Sequence, residues 1–298
     1  MLTRWLVFHV ASGQSFFTGA ACLIVAVGLS ALARRPYLRI LRNTLVFYGV
    51  TLIFLSATPL PPWFEILLVL ASLSWVAGEA FRGRLPARVV LGLRVAVAIL
   101  WAGAMLVEGP YHLAPTVPQL GRPILGIIGD SVTAGTNQSK VKTWPGVFAN
   151  RHDVVVHDHS LAGANVASAL RQANSVSSDE LLVLLEIGGN DILGETTPAK
   201  FEAGLATLLS AVRRPGRVLV MLELPLPPTY NAYGRIQRRL ARQYNALLVP
   251  KRVLLGVLQQ QGMTVDSIHL SQAGHQNMAN AIWAVLQGAY DEKPRRSR

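Results

Sequence analysis

Long apolar runs dominate the first third of the chain, and shorter ones alternate with amphipathic segments in the rest. A helix needs ~20 apolar residues to cross the roughly 30 Å hydrocarbon core of a bilayer, where no water satisfies exposed backbone groups. Four stretches of the first part meet this requirement: 16–33, 44–60, 63–81 and 89–107. Residues 1–107 are therefore predicted to form an all-α transmembrane region.

The loops between these stretches predict their orientation, because Lys and Arg accumulate on the cytoplasmic side. The second loop, around PLPPW, has no arginine. The first and third loops carry a series of them: Arg34, Arg35, Arg39, Arg42, Arg82, Arg84 and Arg88. We therefore expect a multi-pass protein of the cytoplasmic membrane, with everything after residue 107 on the periplasmic or extracytoplasmic side.

Three charged residues lie inside these stretches or near their ends. Arg94 is about a turn and a half into the fourth stretch, from where its alkyl stem can reach back to the cytoplasmic face. Glu65 and Glu79 lie near opposite ends of the third. We interpret all three as interfacial anchors rather than as parts of a transport path.

From residue 123 onward the pattern predicts alternating strands and helices. The predicted strands are 123–129, 153–157, 181–187, 217–223 and 246–250. Helices are predicted near 144–151, 163–173, 198–213, 233–245 and 271–288. Strands that are apolar throughout suit a parallel sheet covered on both faces. The sequence thus predicts a three-layer α/β domain over 123–290.

Two further segments fit neither pattern. Residues 108–122 are rich in proline and lack periodicity, which is typical of a linker, and we expect them to lead away from the membrane as a tether. The end of the chain, 291–298, is predicted to be a basic tail.

The composition favours a membrane protein and argues against nucleic-acid binding. Hydrophobic residues make up 51% of the chain and charged residues only 15%. The net charge of +12 is shared equally by residues 1–109 and 110–298, and the arginines form no single patch. A single cysteine, Cys22, excludes an intramolecular disulfide and gives no information on the redox compartment.

Glycine-bearing loops directly follow the first three predicted strands: GDSVTAG at 129–135, SLAGAN at 160–165 and GGND at 188–191. Each string alone is more typical of a turn than of a catalytic site. The carboxyl ends of parallel strands meet at one edge of a sheet, where ligands bind in open α/β folds. Three such loops in order therefore favour a functional site at this edge.

Ser131, in the first of these loops, is the candidate nucleophile. A serine hydroxyl needs a base to take its proton and a carboxylate to orient that base. The string DSIH places Asp266 and His269 three residues apart, just before the last predicted helix. We expect Asp266 to bind one ring nitrogen while the other faces Ser131.

Donors for a developing oxyanion are predicted from all three loops. They are the backbone N–H of Ser131, the backbone N–H of Gly163 and the side-chain amide of Asn190. Donors already in place stabilise the charge that forms during acyl transfer. Glycine at position 163 would also let a substrate approach the backbone closely.

These blocks and the string DSIHLSQAGH resemble those of the SGNH (GDSL) hydrolases, particularly the arylesterase and thioesterase I branch. The similarity covers roughly residues 122–288 and includes ELPLPPTYNAYGRIQRRLARQYNAL, after the fourth strand. The resemblance implies a flavodoxin-like fold, ester or thioester substrates, and no metal or cofactor. It also implies a triad of Ser131, His269 and Asp266, with an oxyanion hole formed by Ser131, Gly163 and Asn190.

One departure from the family concerns the second block, where an asparagine often precedes the glycine and this chain has His-Ser-Leu at 159–161. We interpret the other polar residues near the loops as structural. Packing or surface roles are expected for His157, His159 and His275, and backbone hydrogen bonds for Asp130 and Asp191. Glu186, inside an apolar strand, needs a hydrogen-bonding partner if it is buried, and the sequence does not identify one. The stretch LPLPPTYNAY, 224–233, either forms a wall of an acyl pocket or packs on the surface.

The sequence therefore predicts a serine ester hydrolase of the carboxylesterase, thioesterase or lipolytic kind, anchored in the lipid bilayer and working through an acyl-enzyme. Two alternatives stay open: an O-acyltransferase or deacetylase of cell-surface glycans with the same triad, and a non-catalytic binding protein. The physiological ester, its chain length, the oligomeric state and the purpose of four spans are not determined by the sequence.

Overall fold

A computed structural model of the chain describes residues 2–32, 35–136, 141–266 and 268–290. The chain divides into two compact units. The first comprises Met1–Pro110 together with Leu226–Asn231, and the second comprises Tyr111–Pro225 together with Ala232–Arg298. The predicted basic tail, 291–298, lies outside the described residues.

The first unit is built from helices: α1 (Leu2–Ala11), α2 (Gln14–Leu32), α3 (Pro36–Leu55), α4 (Pro62–Ala80) and α5 (Ala87–Glu108). Helices α2 to α5 are long and apolar enough to cross a membrane. Buried side chains such as Phe16, Leu23, Leu68 and Trp101 form their common core. Many other large apolar side chains of α3, α4 and α5 are exposed, which suits helices that face lipid.

The helix α3 lies earlier in the chain than the predicted span 44–60. It begins at Pro36 and ends at Leu55. A proline in the first turn presets the helical φ angle at a position whose N–H would have no partner in the helix. The following residues, 56–61, include two prolines that cannot donate backbone hydrogen bonds, and they leave the helical conformation. The short helix α1 was not predicted.

Arg94 forms an ion pair within the first unit. Its Nε lies 2.6 Å from Glu79 Oε1, and a terminal guanidinium nitrogen donates to Ser30 O at 3.0 Å. Arg42 lies 3.9 Å from the other Glu79 oxygen. Pairing lowers the cost of placing these charges among apolar helices, so Arg94 links α5 to both α4 and α2.

The second unit contains a five-stranded parallel sheet in the order β2-β1-β3-β4-β5. Its strands are β1 (Leu125–Gly129), β2 (Val156–Asp158), β3 (Leu182–Glu186), β4 (Val218–Leu222) and β5 (Leu247–Val249). Every residue of β1 and β3 is buried, as expected for central strands covered on both faces. The predicted three-layer α/β fold is confirmed, and the strand order is that of flavodoxin-like folds.

Eight α-helices accompany this sheet among the described residues: α6 (Ser131–Ala134), α7 (Trp144–His152), α8 (Leu170–Ser175), α9 (Gly189–Leu193), α10 (Pro198–Val212), α11 (Asn231–Gln243), α12 (Lys251–Leu258) and α13 (Gln272–Tyr290). Helix α8 is shorter than the predicted 163–173. The residues before it form turns in which Asn165 and Ser168 bond each other's backbone N–H groups through their side chains. Helix α12 was not predicted.

The predicted tether, 108–122, is not a free linker. Helix α5 continues to Glu108, and a 3-10 turn follows at Gly109–His112. Further on, Val117 is buried in the core of the second unit, and Leu120 N donates to Ala289 O at 3.0 Å. Part of this segment therefore belongs to the packed domain.

Candidate active site

The loop after β1 presents Ser131 as the first residue of α6. Asp130 caps this helix by accepting a hydrogen bond from Val132 N at 2.9 Å. Just before the loop, the Gln172 side chain binds both backbone groups of Gly129 at 3.0 Å. A Cβ at Gly129 would lie 2.7 Å from Thr133, so this position requires glycine. Both ends of the loop are therefore fixed.

The segment before α13 brings His269 to the serine. His269 Nε2 lies 3.0 Å from Ser131 Oγ although the residues are 138 positions apart. On its other side, His269 Nδ1 lies 2.6 Å from Asp266 Oδ2. The second oxygen of Asp266 accepts hydrogen bonds from the backbone N–H groups of Ile268 and His269. The three predicted triad residues thus form one continuous chain of contacts.

The negative charge of Asp266 determines which ring nitrogen of His269 carries the proton. Hydrogen bonds from the His269 side chain, and secondly from its backbone N–H, lower the pKa of Asp266 to about 2. An ionised carboxylate can only accept, so the His269 proton lies on Nδ1 and Nε2 is left to accept from the serine hydroxyl. This is the arrangement that a general base requires.

The second loop lies beside the first because β2 continues along β1: His159 N donates to Ile127 O, and Leu161 N donates to Gly129 O. Gly163, in the turn that follows, has a φ of +77°, which other residues rarely adopt. No atom lies within 4 Å of the position that its Cβ would take, so the backbone is open there. Glycine is favoured at position 163 by the positive φ angle and not by a lack of space for a side chain.

The third loop contributes Asn190 from the first turn of α9. Gly188, with a φ of +114°, makes the bend between β3 and this helix. The Asn190 amide nitrogen donates to Ala164 O at 2.9 Å and reaches Asp130 Oδ2 at 3.4 Å. It therefore joins the second loop to the first. The three loops that carry the predicted oxyanion donors are connected through this one side chain.

A buried acid pair behind the serine was not predicted as a unit. Glu186, the last residue of β3, accepts a hydrogen bond from Thr133 Oγ1 at 2.9 Å and hydrogen-bonds Asp130. Burial raises the pKa of Glu186 well above its usual range, and the nearby Asp130 raises it further. Burial also raises the pKa of Asp130, to about 6. At neutral pH a protonated Glu186 can donate to an ionised Asp130, so Glu186 has the partner that its position requires.

The other titratable residues near the loops have structural contacts. His275 is fully buried, its Nδ1 accepts from Trp144 N at 3.2 Å, and burial lowers the pKa of its imidazole to about 4. His157 and His159 both contact the buried carboxylate of Glu180. Asp191 accepts from Val166 N at 2.8 Å. Within the described ranges, no group of three or more His, Cys, Asp or Glu residues could hold a metal ion.

The fold and the loops at its carboxyl edge define a hydrolase of the three-layer α/β class. The model of the GDSL-like Lipase/Acylhydrolase family matches residues 127–276, half of the chain, and the protein belongs to this family. The predicted family and enzyme class are thereby confirmed.

The curated proteins to which the chain is similar include an esterase, a thioesterase and an arylesterase. It is 29% identical over 197 residues to Esterase TesA of Pseudomonas aeruginosa, covering 62% of this chain and 98% of that protein. It is 28% identical to Thioesterase 1/protease 1/lysophospholipase L1 of Escherichia coli (54% of this chain, 82% of the relative) and 25% identical to an Arylesterase of Vibrio mimicus (48% and 78%). A crystal structure of TesA is similar with a TM-score of 0.49 and 29% identity, over 55% of this chain and 98% of that one.

Proposed function

We propose that the protein is a membrane-anchored serine esterase that cleaves carboxylic esters or thioesters through an acyl-enzyme on Ser131. The observation that carries the proposal is the row of contacts from Ser131 Oγ to His269 Nε2, 3.0 Å, and from His269 Nδ1 to Asp266 Oδ2, 2.6 Å. The names of the relatives, an esterase, an arylesterase and a thioesterase, support the same class of reaction.

In the first half of the reaction, Ser131 Oγ attacks the acyl carbonyl carbon while His269 Nε2 takes the hydroxyl proton. The ionised Asp266 stabilises the imidazolium that forms. When the C–O or C–S bond to the leaving group breaks, His269 returns the proton to the departing oxygen or sulfur. In the second half, His269 removes a proton from water, the resulting hydroxide equivalent attacks the acyl-enzyme, and Ser131 leaves with its proton restored.

The tetrahedral intermediates carry a negative oxygen, which we assign to the backbone N–H groups of Ser131 and Gly163 and the side-chain amide of Asn190. The open space beside Gly163 and the position of the Asn190 amide nitrogen, 3.4 Å from Oδ2 of Asp130, the residue before Ser131, support this assignment. Fixed donors of this kind act without reorganising during the reaction.

The test uses purified full-length protein with p-nitrophenyl esters and acyl thioesters of short and long chain. Ser131→Ala is expected to abolish hydrolysis, whereas Ser210→Ala, at an exposed serine of α10, is expected to leave it unchanged. A fluorophosphonate should label Ser131 and be located there by mass spectrometry. Hydrolysis that survives Ser131→Ala would overturn the proposal. Adding a glycan acceptor separates hydrolysis from acyl transfer, since a transferase would form acylated glycan at the expense of free acid.

The second unit is proposed to lie on the extracytoplasmic side. Support comes from the arginines of the first and third loops, the signature of cytoplasmic segments. Alkaline phosphatase fused after Arg298 should be active, and green fluorescent protein at the same position should stay dark when exported by the same route. The reverse result would contradict the orientation.

A further inference from the structure

The turn that carries the Gly163 N–H, one of the proposed oxyanion donors, spans residues 161–164. Ala164 N donates to Leu161 O at 3.1 Å and closes the turn. Gly163 is the third residue of the turn and has the positive φ that several turn types require at this position. The direction of its N–H therefore depends on how the backbone is held before and after the turn.

Two neighbouring side chains of α9 hold the backbone after the turn. The Asn190 amide nitrogen donates to Ala164 O at 2.9 Å. Asp191, which is buried, accepts from Val166 N through Oδ2 at 2.8 Å. Asn190 is itself a proposed oxyanion donor. Asp191 instead binds the backbone three residues beyond Gly163, where it can act on the reaction only by placing the loop.

A second buried carboxylate acts at the start of the loop. Glu180, just before β3, is buried, and its Oε2 lies 3.0 Å from His159 Nε2. His159 is the first residue after β2, and its backbone N–H donates to Ile127 O at 2.9 Å. It belongs to the stretch in which this chain departs from the second block of the family. His159 thus joins the start of the loop to the segment before β3.

Glu180 is held from several sides. His157 Nδ1 lies 3.0 Å from its carboxylate, and Ser177 binds the same oxygen through its backbone N–H at 3.1 Å and its hydroxyl at 3.0 Å. Arg217 Nε donates to the Glu180 carbonyl at 2.8 Å. Burial raises the pKa of Glu180, but the hydrogen bonds from His157, Ser177 and His159 leave it below its ordinary value. An ionised acceptor fixed in this way can hold the His159 ring in turn.

We propose that Asp191 and Glu180 are positioning residues for the oxyanion hole. Asp191 fixes the backbone after Gly163, and Glu180 fixes the backbone before it through His159. The two carboxyl groups act on protein atoms, while the N–H that meets the oxyanion is that of Gly163. A donor displaced by about 1 Å loses much of its effect on the rate. The inference deepens the proposed function and rests on it.

Asp191 is tested in the full-length protein with p-nitrophenyl esters. Asp191→Ala removes the acceptor of Val166 N and should lower kcat about 10- to 100-fold with little change in KM. Asp191→Asn keeps an oxygen that can accept from the same N–H and should retain kcat within about threefold. An unchanged kcat in Asp191→Ala, or an equal loss in both variants, would overturn the role of Asp191.

The start of the loop is tested at His159. Glutamine carries an N–H donor at about the same reach as Nε2, whereas leucine carries none. We expect kcat to fall about tenfold in His159→Leu with little change in KM, and to be largely restored in His159→Gln. A kcat that is unchanged in His159→Leu, or that glutamine does not restore, would contradict the role of Glu180.

Active-site titration separates positioning from loss of the fold. A fluorophosphonate that reacts to completion counts the sites in which Ser131 is still activated. If a variant only unfolds in part, this count falls while kcat per titrated site stays at the wild-type value, and that result would overturn the proposal.

A transition-state analogue gives a second readout that does not depend on turnover. An alkylboronic acid forms a tetrahedral anion on Ser131, so its affinity for Asp191→Ala should fall by about the same factor as kcat. Unchanged affinity would contradict the positioning role. A wild-type protein without hydrolysis that depends on Ser131 would disprove the proposed function itself, whereas an active wild type with equally active Asp191→Ala and His159→Leu variants would disprove only this inference.

Discussion

The buried carboxyl group of Glu186 hydrogen-bonds the carboxyl group of Asp130 directly beneath the loop that carries Ser131. The same Glu186 accepts from Thr133 Oγ1, and Thr133 accepts from Trp144 Nε1 at 3.2 Å. A protonated Glu186 can do both things at once, accepting through one oxygen and donating through the other. It thereby holds the capping carboxylate of the serine loop in place.

This arrangement predicts different results for two substitutions of Glu186. Glutamine offers the same carbonyl acceptor and an N–H donor, so Glu186→Gln should keep kcat within about twofold of the wild type. Leucine offers neither. Glu186→Leu removes the acceptor of the Thr133 hydroxyl and the donor to Asp130, and should lower the free energy of unfolding by about 1–3 kcal/mol. Thermal inactivation and kcat with p-nitrophenyl acetate measure the two effects, and equal damage by both variants would contradict a neutral Glu186.

The acid pair also predicts a pH dependence of stability. The pKa of Asp130 is raised from 3.8 to about 6, and that of Glu186 is raised as well, so the folded state binds more protons than the unfolded state. The stability that the pair contributes is complete below pH ~4 and is lost as the pH rises through 6 and beyond. Glu186→Gln does not titrate. Its melting temperature relative to the wild type should therefore rise between pH 5 and pH 8, and a constant or falling difference would argue against the raised pKa.

Much of the fold could be predicted because it depends on local pattern. Apolar runs without alternation predicted all five strands to within a few residues, and the parallel order follows from helices that separate them. Helix α8 is shorter than predicted because Asn165 and Ser168 bond backbone groups in a turn, a competition that periodicity does not register. The start of α3 was missed because Arg39 and Arg42 look like a loop in a hydropathy pattern, although long basic side chains fit a helix end.

The residues of the candidate site that belong to short sequence motifs could be predicted, whereas the contacts that depend on packing could not. Ser131, Asp266 and His269 were chosen from short strings, and the structure places them in contact across 138 positions. The pairing of Glu186 with Thr133, 53 positions away, has no such signal, because a carboxyl group at the end of an apolar strand shows only that a partner is needed. Similarly, the link from Asn190 to Ala164 O depends on how two loops meet.

Replacing Asp266 tests the orientation of the base. In Asp266→Asn the amide presents an N–H to His269 Nδ1, which moves the imidazole proton to Nε2. A protonated Nε2 can no longer accept the proton of the Ser131 hydroxyl. We expect kcat to fall by about 10²–10⁴-fold with a smaller change in KM. Asp153→Asn, at an exposed helix end whose φ of 51° asparagine also tolerates, is the matched control. Because the pKa of Asp266 is about 2, its titration should not set the acid limb of the wild-type rate profile above pH 4.

Asn190 is predicted to act on the transition state rather than on substrate binding. Asn190→Ala removes one oxyanion donor and the hydrogen bond to Ala164 O. The expected result is a loss of about 10²–10³-fold in kcat, with KM changed much less. Asn174→Ala, on the exposed side of α8, should behave as the wild type. A variant whose KM rises while kcat is retained would show that the amide binds the substrate and the transition state equally.

Position 126 in β1 has no room for a side chain larger than that of glycine. A Cβ at this position would overlap Glu180 Oε2. Glu180 cannot move aside cheaply, because its carboxylate is buried and binds His157 Nδ1 and His159 Nε2, each at 3.0 Å. Arg217 is bonded to the Glu180 carbonyl at 2.8 Å, which fixes the backbone as well. Gly126→Ala must therefore break a histidine contact or shift the strand.

We expect Gly126→Ala to lower the free energy of unfolding by about 1–3 kcal/mol. Each kcal/mol lowers the temperature of half-inactivation by about 2–4 °C. Gly256→Ala in α12 is the control, since nothing lies within 4 Å of the position of its Cβ. Alanine favours a helix interior over glycine by about 0.5–1 kcal/mol, so this variant should inactivate at a higher temperature than the wild type. If both substitutions shifted the temperature in the same direction, Glu180 would have to be free to turn away, and its contacts with the two histidines would not stabilise the edge strand.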